Sequence, residues 1–398
     1  MNFALTPEED EFRTGVRKFL AEQMARAPAG PWPQDTYFSI ARRIREGLGG
    51  RGRSALRPCS GQAGSRQSWL TLAWPCEHGG EDSAIKDAIL REEMAYFGVP
   101  RANDYGTNLA GPLTIRYGTG SQKARHLGPL ANGKEWWCIG FTEPMAGSDL
   151  AAIRTRAVDM GDHYLLTGQK DYVEWARESD WCYLLARTDS DSPGSAGLTL
   201  FLLDMKSPGI FLNPVAYMTG RSFAEIFLDQ VRVPKEGVLG GVGRGWEVVK
   251  EVLEEGRSGI EFVGWARRIL DLMIEQAASE GGGSAGPVAR HKLAEAAMDI
   301  EVARLLSYRS VRNRSRGRAS TSEVSKSKLF GSEMCQRVAG TAMEVRGLAG
   351  QMARDNRWGG LGWIVHDHFM ESIAGTIYLG SSEIQRNLIA HRQLGLPH

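Results

Sequence analysis

The run His163-Tyr-Leu-Leu-Thr-Gly-Gln-Lys-Asp-Tyr-Val173 decides the fold class. It is short, rich in aromatic, β-branched and leucine residues, and turn chemistry precedes it at Gly161-Asp162. Segments 181–187, 198–204, 210–215 and 224–233 repeat the character. Ser190 to Gly197 and Ser207-Pro208-Gly209 separate them, and Pro234 ends the series. Together they predict a small antiparallel β domain. On both sides the pattern is helical. Thr6-Pro7-Glu8-Glu9 reads as an N-cap, a first-position proline and a capping-box glutamate, and Val16, Phe19 and Leu20 then form one apolar face with Phe12. Segments 85–96, 108–117 and 121–131 continue in helix. So do the stretches from Val248, 261–278, Leu293 to Ile300, 322–345 and 363–390 beyond the β segments, with a glycine-rich linker at 281–286. The fold class is therefore α+β: an N-terminal helical domain (1–133), a small antiparallel β domain (134–240) and a C-terminal helical bundle (241–398). Helix, then strands, then helix is not the alternation of a parallel doubly wound sheet.

Composition limits the function. The 398 residues are 42% hydrophobic and 24% charged, so the chain can bury a large core. Lys+Arg is 48 against Asp+Glu 47, which gives no basic excess for nucleic acid. Five scattered cysteines form no C-x-x-C pair, which argues against a disulfide framework or a zinc site and fits a reducing compartment. No apolar run reaches the length of a membrane span, and Glu8, Glu9 and Asp10 stand where a signal peptide needs basic then apolar residues. A cytoplasmic enzyme is the expectation. His366 and His368 are two apart and do not share a helix face, so no metal is expected. Residues 41–66 carry seven Arg and one acid, Glu46, and read as a solvated basic loop. Gly47, Gly49 and Gly52 match a dinucleotide fingerprint by chance, because no strand precedes them.

Two strings are more specific. Residues 140–150 read Gly-Phe-Thr-Glu-Pro-Met-Ala-Gly-Ser-Asp-Leu, and residues 378–390 read Tyr-Leu-Gly-Ser-Ser-Glu-Ile-Gln-Arg-Asn-Leu-Ile-Ala. Gly168-Gln169-Lys170 and Val231-Arg232-Val233-Pro234 lie between them, and Tyr117-Gly118-Thr119 lies upstream. Over nearly the whole chain apart from 41–66, this resembles the acyl-CoA dehydrogenase family.

The resemblance implies FAD held between the β domain and the C-terminal bundle, in a homodimer or homotetramer. It implies an acyl-CoA or acyl-carrier-protein substrate, and an electron-transfer flavoprotein or oxygen as acceptor. It places Thr142, with Phe141 beside it, and Ser148 at the flavin, with Gly147 allowing close backbone approach. Tyr172 and Glu174 fall on the flavin wall, where the family often has a Trp and a Thr or Ser. Ser381 and Glu383 fall at the FAD, and Glu344 and Gly347 in the segment that reaches it across a subunit interface.

Dehydrogenation of a thioester needs a carboxylate to take the α-proton. The family's two usual positions for it are here Leu379 and Gly256, and neither can serve. Glu255 beside Arg257 becomes the expected base, with Glu261 and Glu174 in reserve. The empty positions keep open a flavin oxidase or monooxygenase of the same fold, or an inactive subunit that supports a partner.

Overall fold

The computed structural model describes residues 3–28, 32–51, 68–100, 105–192, 194–219, 222–255, 258–279, 286–318, 321–352 and 362–397. Its helices are α1 (Pro7–Met24), α2 (Gln34–Gly49), α3 (Ala84–Tyr96), α4 (Gly111–Tyr117), α5 (Gly120–Ala131), α6 (Gly245–Glu255), α7 (Ile260–Ser279), α8 (Pro287–Ser315), α9 (Thr321–Arg346), α10 (Gly362–Gly375) and α11 (Ser382–Arg392). Its strands are β1 (Trp137–Gly140), β2 (Arg156–Asp159), β3 (His163–Glu174), β4 (Trp181–Arg187), β5 (Leu198–Asp204), β6 (Ile210–Ala216), β7 (Ser222–Pro234) and β8 (Val238–Leu239). These fall into two compact units. One comprises residues 1–40, 83–100 and 257–398, and the other residues 41–82 and 101–256.

The first unit is helical. Thr6 caps α1 through the complete capping box, and Val16, Phe19 and Leu20 are buried. Its core runs through Ile89, Val263, Ile269, Ile300, Met334 and Val338. Glu92 and Glu93 are fully buried on α3, so their charges need partners. Arg13 and Arg267 reach both, Arg17 reaches Glu93 at 2.9 Å, and the Tyr308 hydroxyl donates to Glu92 at 2.7 Å. This network pins α1, α7 and α8 around α3.

The second unit is built on an eight-stranded sheet in the order β6-β7-β3-β2-β4-β5-β8, with β1 alongside β4. The ladders are mostly antiparallel, but β1 and β2 each pair parallel with β4. One face of the sheet is closed by Cys138, Leu166, Leu184, Phe201, Ile226 and Val231. A second cluster gathers Trp74, Leu113, Leu130, Trp137, Tyr183, Leu200 and Val248 from helices and strands.

Two features depart from the sequence reading, the basic stretch and Cys76. The basic stretch begins as helix, because α2 extends to Gly49 and buries Ile40, Ala41, Ile44 and Leu48. Arg45 is itself buried and donates to the Thr107 hydroxyl at 2.8 Å. The rest of the stretch, from 52, lies outside the described residues. Segment 363–390 is two helices separated by a turn at 376–381, as expected of a string in which Gly380 allows a turn and Ser381 caps a helix. Cys76 is disulfide-bonded, whereas Cys138, Cys182 and Cys335 are buried free thiols. No described helix is long and apolar enough to cross a membrane.

Candidate functional site

In the second unit, β1 delivers the chain into a tight turn. The Glu143 and Ala146 backbones exchange hydrogen bonds of 3.1 and 3.0 Å across Pro144-Met145. Phe141 is buried, Thr142 is half-buried, and Gly147 and Ser148 are exposed. The turn's interior residue is Glu143, 7% exposed. Its carboxylate accepts the Arg154 amide at 2.6 Å, the Thr155 amide at 2.9 Å and the Lys170 ammonium at 2.7 Å. Lys170 is fully buried and also donates to the Phe141 carbonyl at 3.2 Å. One ion pair thus ties the turn to β3 and to the start of β2.

The electrostatics follow from burial. Desolvation pushes the Glu143 carboxyl up, but the Lys170 charge and the bonds from Lys170, Thr155 and Arg154 outweigh it, leaving the pKa below the ordinary value. For Lys170 desolvation wins: its pKa falls to about 8, with the Glu143 charge offsetting part of the loss. Both residues lie in quoted strings, 140–150 and 168–170, but the strings do not announce their pairing. They are 27 positions apart, and only the fold brings them together.

The Gly-Gln-Lys string now has a physical account. A Cβ on Gly168 would lie 2.5 Å from the Thr155 hydroxyl, so this crossing of β2 and β3 needs glycine. Two residues past Lys170 the register with β7 shifts. Tyr172 sits in that irregularity with φ +52° and is 67% exposed. The Asp171 amide donates to the Thr142 carbonyl at 2.8 Å, which fixes the bulge against the turn. Glu174 points inward, 9% exposed, and accepts the Tyr105 hydroxyl at 2.9 Å. Tyr105 immediately precedes a π-helical turn, Gly106–Ala110, and Trp175 follows Glu174 with φ +62°. Bulges, π-turns and left-handed non-glycine residues recur at ligand sites, because such strain persists only where the surroundings enforce it. Thr142, Gly147 and Ser148 share this turn, and the Asp171–Thr142 backbone bond sets Tyr172 next to it, which makes one clamped platform. It offers an exposed aromatic ring, two hydroxyls and open space above Gly147.

The remaining candidates lie elsewhere. Glu255 is the last residue of α6, and Gly256 and Arg257 are outside the described residues. In the first unit, Glu261 is ion-paired with Arg91, whose Nε lies 2.7 Å away. Leu379 is left-handed at φ +52° and is followed by Gly380 at +86°. Their carbonyls accept the buried Gln385 amide at 3.5 and 3.1 Å. Ser381 caps α11 through the Ile384 amide at 3.4 Å. Glu383 is exposed in the first turn of α11, where its own amide and Ser381 hold its carboxyl below the ordinary value. Glu344 pairs with Lys292 near the end of α9, and Gly347 follows with φ +53°.

Models of known families match three stretches. Residues 60–134 match "Acyl-CoA dehydrogenase, N-terminal domain", 138–231 the middle domain and 243–394 the C-terminal domain. The acyl-CoA dehydrogenase IpdE1 of Mycobacterium tuberculosis is 33% identical over 402 residues, covering 98% of each chain. Among solved structures, the Tcur3481-Tcur3483 steroid ACAD superposes with a TM-score of 0.87 at 25% identity, over all of both chains. A chain of the ChsE4-ChsE5 complex from Mycobacterium tuberculosis superposes with a TM-score of 0.85 at 26% identity, again over all of both.

Proposed function

Because the chain belongs to the acyl-CoA dehydrogenase family, of FAD-dependent oxidoreductases, we propose that it carries out α,β-dehydrogenation of an acyl thioester. The observation that carries this is the platform of Thr142, Gly147, Ser148 and Tyr172, held by the buried Glu143–Lys170 pair. When bound, FAD supplies the acceptor for the β-hydrogen, which leaves as hydride. Thr142 and Ser148 would hold its polar edge, and Tyr172 would pack on its ring. Glu255 takes the α-proton, oriented by Arg257. Ser381 and Glu383, with Glu344 and Gly347 of a neighbouring copy, complete the cofactor's contacts in a homodimer or homotetramer. The acceptor of the electrons is an electron-transfer flavoprotein or oxygen.

The related steroid ACAD suggests the first substrate to try, a ring-bearing acyl-CoA rather than a straight chain. Under anaerobic conditions, that acyl-CoA is expected to bleach the visible flavin absorbance of the FAD-loaded protein and to yield the α,β-unsaturated thioester. If neither ring-bearing nor straight-chain acyl-CoA reduces the flavin, the dehydrogenase reading falls for the isolated chain.

A second reading is favoured by Leu379, an aliphatic residue at one of the family's usual positions for the base. Here the chain is the supporting subunit of a complex of two different chains, as the name of the ChsE4-ChsE5 complex describes that assembly. Its mark is an inactive homomer that gains turnover when mixed with a family member carrying Glu at the position of Leu379.

A further inference from the structure

Arg187 ends β4, half-buried, and its guanidinium donates to five backbone carbonyls, with the Asp189 carboxylate near enough to feel its charge. Its Nε donates to Ile153 at 3.3 Å. Nη1 donates to Ser192 at 3.2 Å and Ala196 at 3.0 Å. Nη2 donates to Ala151 and Gly194, each at 2.9 Å. All five N–H groups of an arginine are thereby used. Three acceptors belong to the turn between β4 and β5, and two to the segment directly after Ser148. That segment continues into Arg154 and Thr155, whose amides hold Glu143, and the Arg187 amide itself donates to the Thr155 carbonyl at 2.8 Å. The turn carrying Thr142 and Ser148 is therefore anchored on one side by Lys170 and on the other by the carbonyl cage of Arg187.

We infer that Arg187 is a positioning residue for the FAD platform, acting through segment 151–155; this rests on the FAD reading above. Its planar fork places donors in fixed directions toward carbonyls from two loops. A lysine has three donors on one nitrogen and cannot span them. Loss of the cage lets Ala151 and Ile153 move. Glu143 then loses the fixed direction of its two amide donors, and the Thr142–Ser148 turn loses its register with the bulge at Tyr172.

The test uses the full chain with Arg187→Lys and, separately, Gly194→Ala. Gly194 has φ +56° with open space where a Cβ would go, so alanine there strains the carbonyl-bearing turn without touching the platform. Two readouts are taken. In the FAD-free protein, hydrogen exchange at the Arg154 and Thr155 amides is expected to accelerate at least about tenfold in Arg187→Lys, the scale of one lost net hydrogen bond. Exchange in the core strands should stay unchanged. In FAD titrations the Kd is expected to rise by about tenfold or more, with Gly194→Ala giving a smaller rise. The double variant should fall short of the product of the two, because both act through one cage. Unchanged exchange at 154–155 overturns the positioning role whether or not FAD binds. Faster exchange with an unchanged Kd overturns its link to the cofactor. A wild-type chain that binds no FAD overturns the cofactor reading itself, a result the exchange arm keeps separate.

Discussion

Replacing Lys170 by Met is expected to lower the stability of the β-containing unit by about 3 kcal/mol at pH 7. Breaking a buried pair from one side costs roughly 3–5 kcal/mol, because it leaves a charge without its partner. The lower end applies here, since Glu143 keeps the Arg154 and Thr155 amides. The Glu143→Gln and Lys170→Met losses should be clearly non-additive, as expected of contacting residues. The pH dependence carries a signed check. The folded chain releases the Lys170 proton at about 8 rather than the usual 10.5, so between those values the unfolded chain binds more protons. This contribution to stability therefore rises with pH through that window, by up to about 3 kcal/mol, and is lost as pH falls through 8. Urea midpoints of wild type minus Lys170→Met across pH 7–10 measure it, because methionine does not titrate. A pH-independent difference would show that Lys170 is not held in a desolvated site.

Replacing Glu255 by Gln is expected to cut acyl-CoA turnover by about 10²–10⁴-fold, the contribution of a general base, while FAD absorbance is retained. Glu255 is proposed because it adjoins Gly256, where the family resemblance puts the alternative base. The resemblance puts Leu379 and Gly256 at the family's usual positions for the base, and neither side chain can take a proton. Glu261 is committed to Arg91, and Glu174 is turned inward to the Tyr105 hydroxyl. Glu255 ends α6 immediately before the segment in which the family's alternative base falls. Glu261→Gln and Glu174→Gln serve as comparisons, and steady-state kinetics with the acyl-CoA that bleaches the flavin decide between them. An undiminished rate in Glu255→Gln together with a collapse in Glu174→Gln would transfer the role to the Tyr105–Glu174 pair.

How far the sequence could be read depended on how local each signal was. Thr6-Pro7-Glu8-Glu9 and the Val16, Phe19 and Leu20 face are complete within α1, and they folded as read. The strands from His163 onward announce themselves by composition, and their turns by Gly161-Asp162 and Ser207-Pro208-Gly209. By contrast β2 is short and its residues Arg156, Val158 and Asp159 are exposed, so no alternation marks it. It forms because β3 and β4 offer it partners. Arginine and glycine concealed α2, whose buried Ile40, Ala41, Ile44 and Leu48 do follow a helical spacing. The motif around Thr142 was legible as a string, but its support was not. Lys170 and Arg187 reach it from β3 and β4, contacts set by strand register rather than by sequence distance. Likewise nothing in Gly-Gln-Lys-Asp-Tyr announces the bulge that turns Tyr172 outward.

FAD is expected to sit on the turn from Thr142 to Ser148, against Tyr172. The most direct measurement is an equilibrium titration of FAD-free protein with FAD, followed by visible absorbance and thermal unfolding. The expected result is a bound flavin and a stabilisation that grows as RT ln(1+[L]/Kd), about 2.7 kcal/mol at one hundred times Kd. Tyr172→Ala should weaken both responses. A protein that takes up no flavin and unfolds at the same temperature with and without FAD would contradict the account.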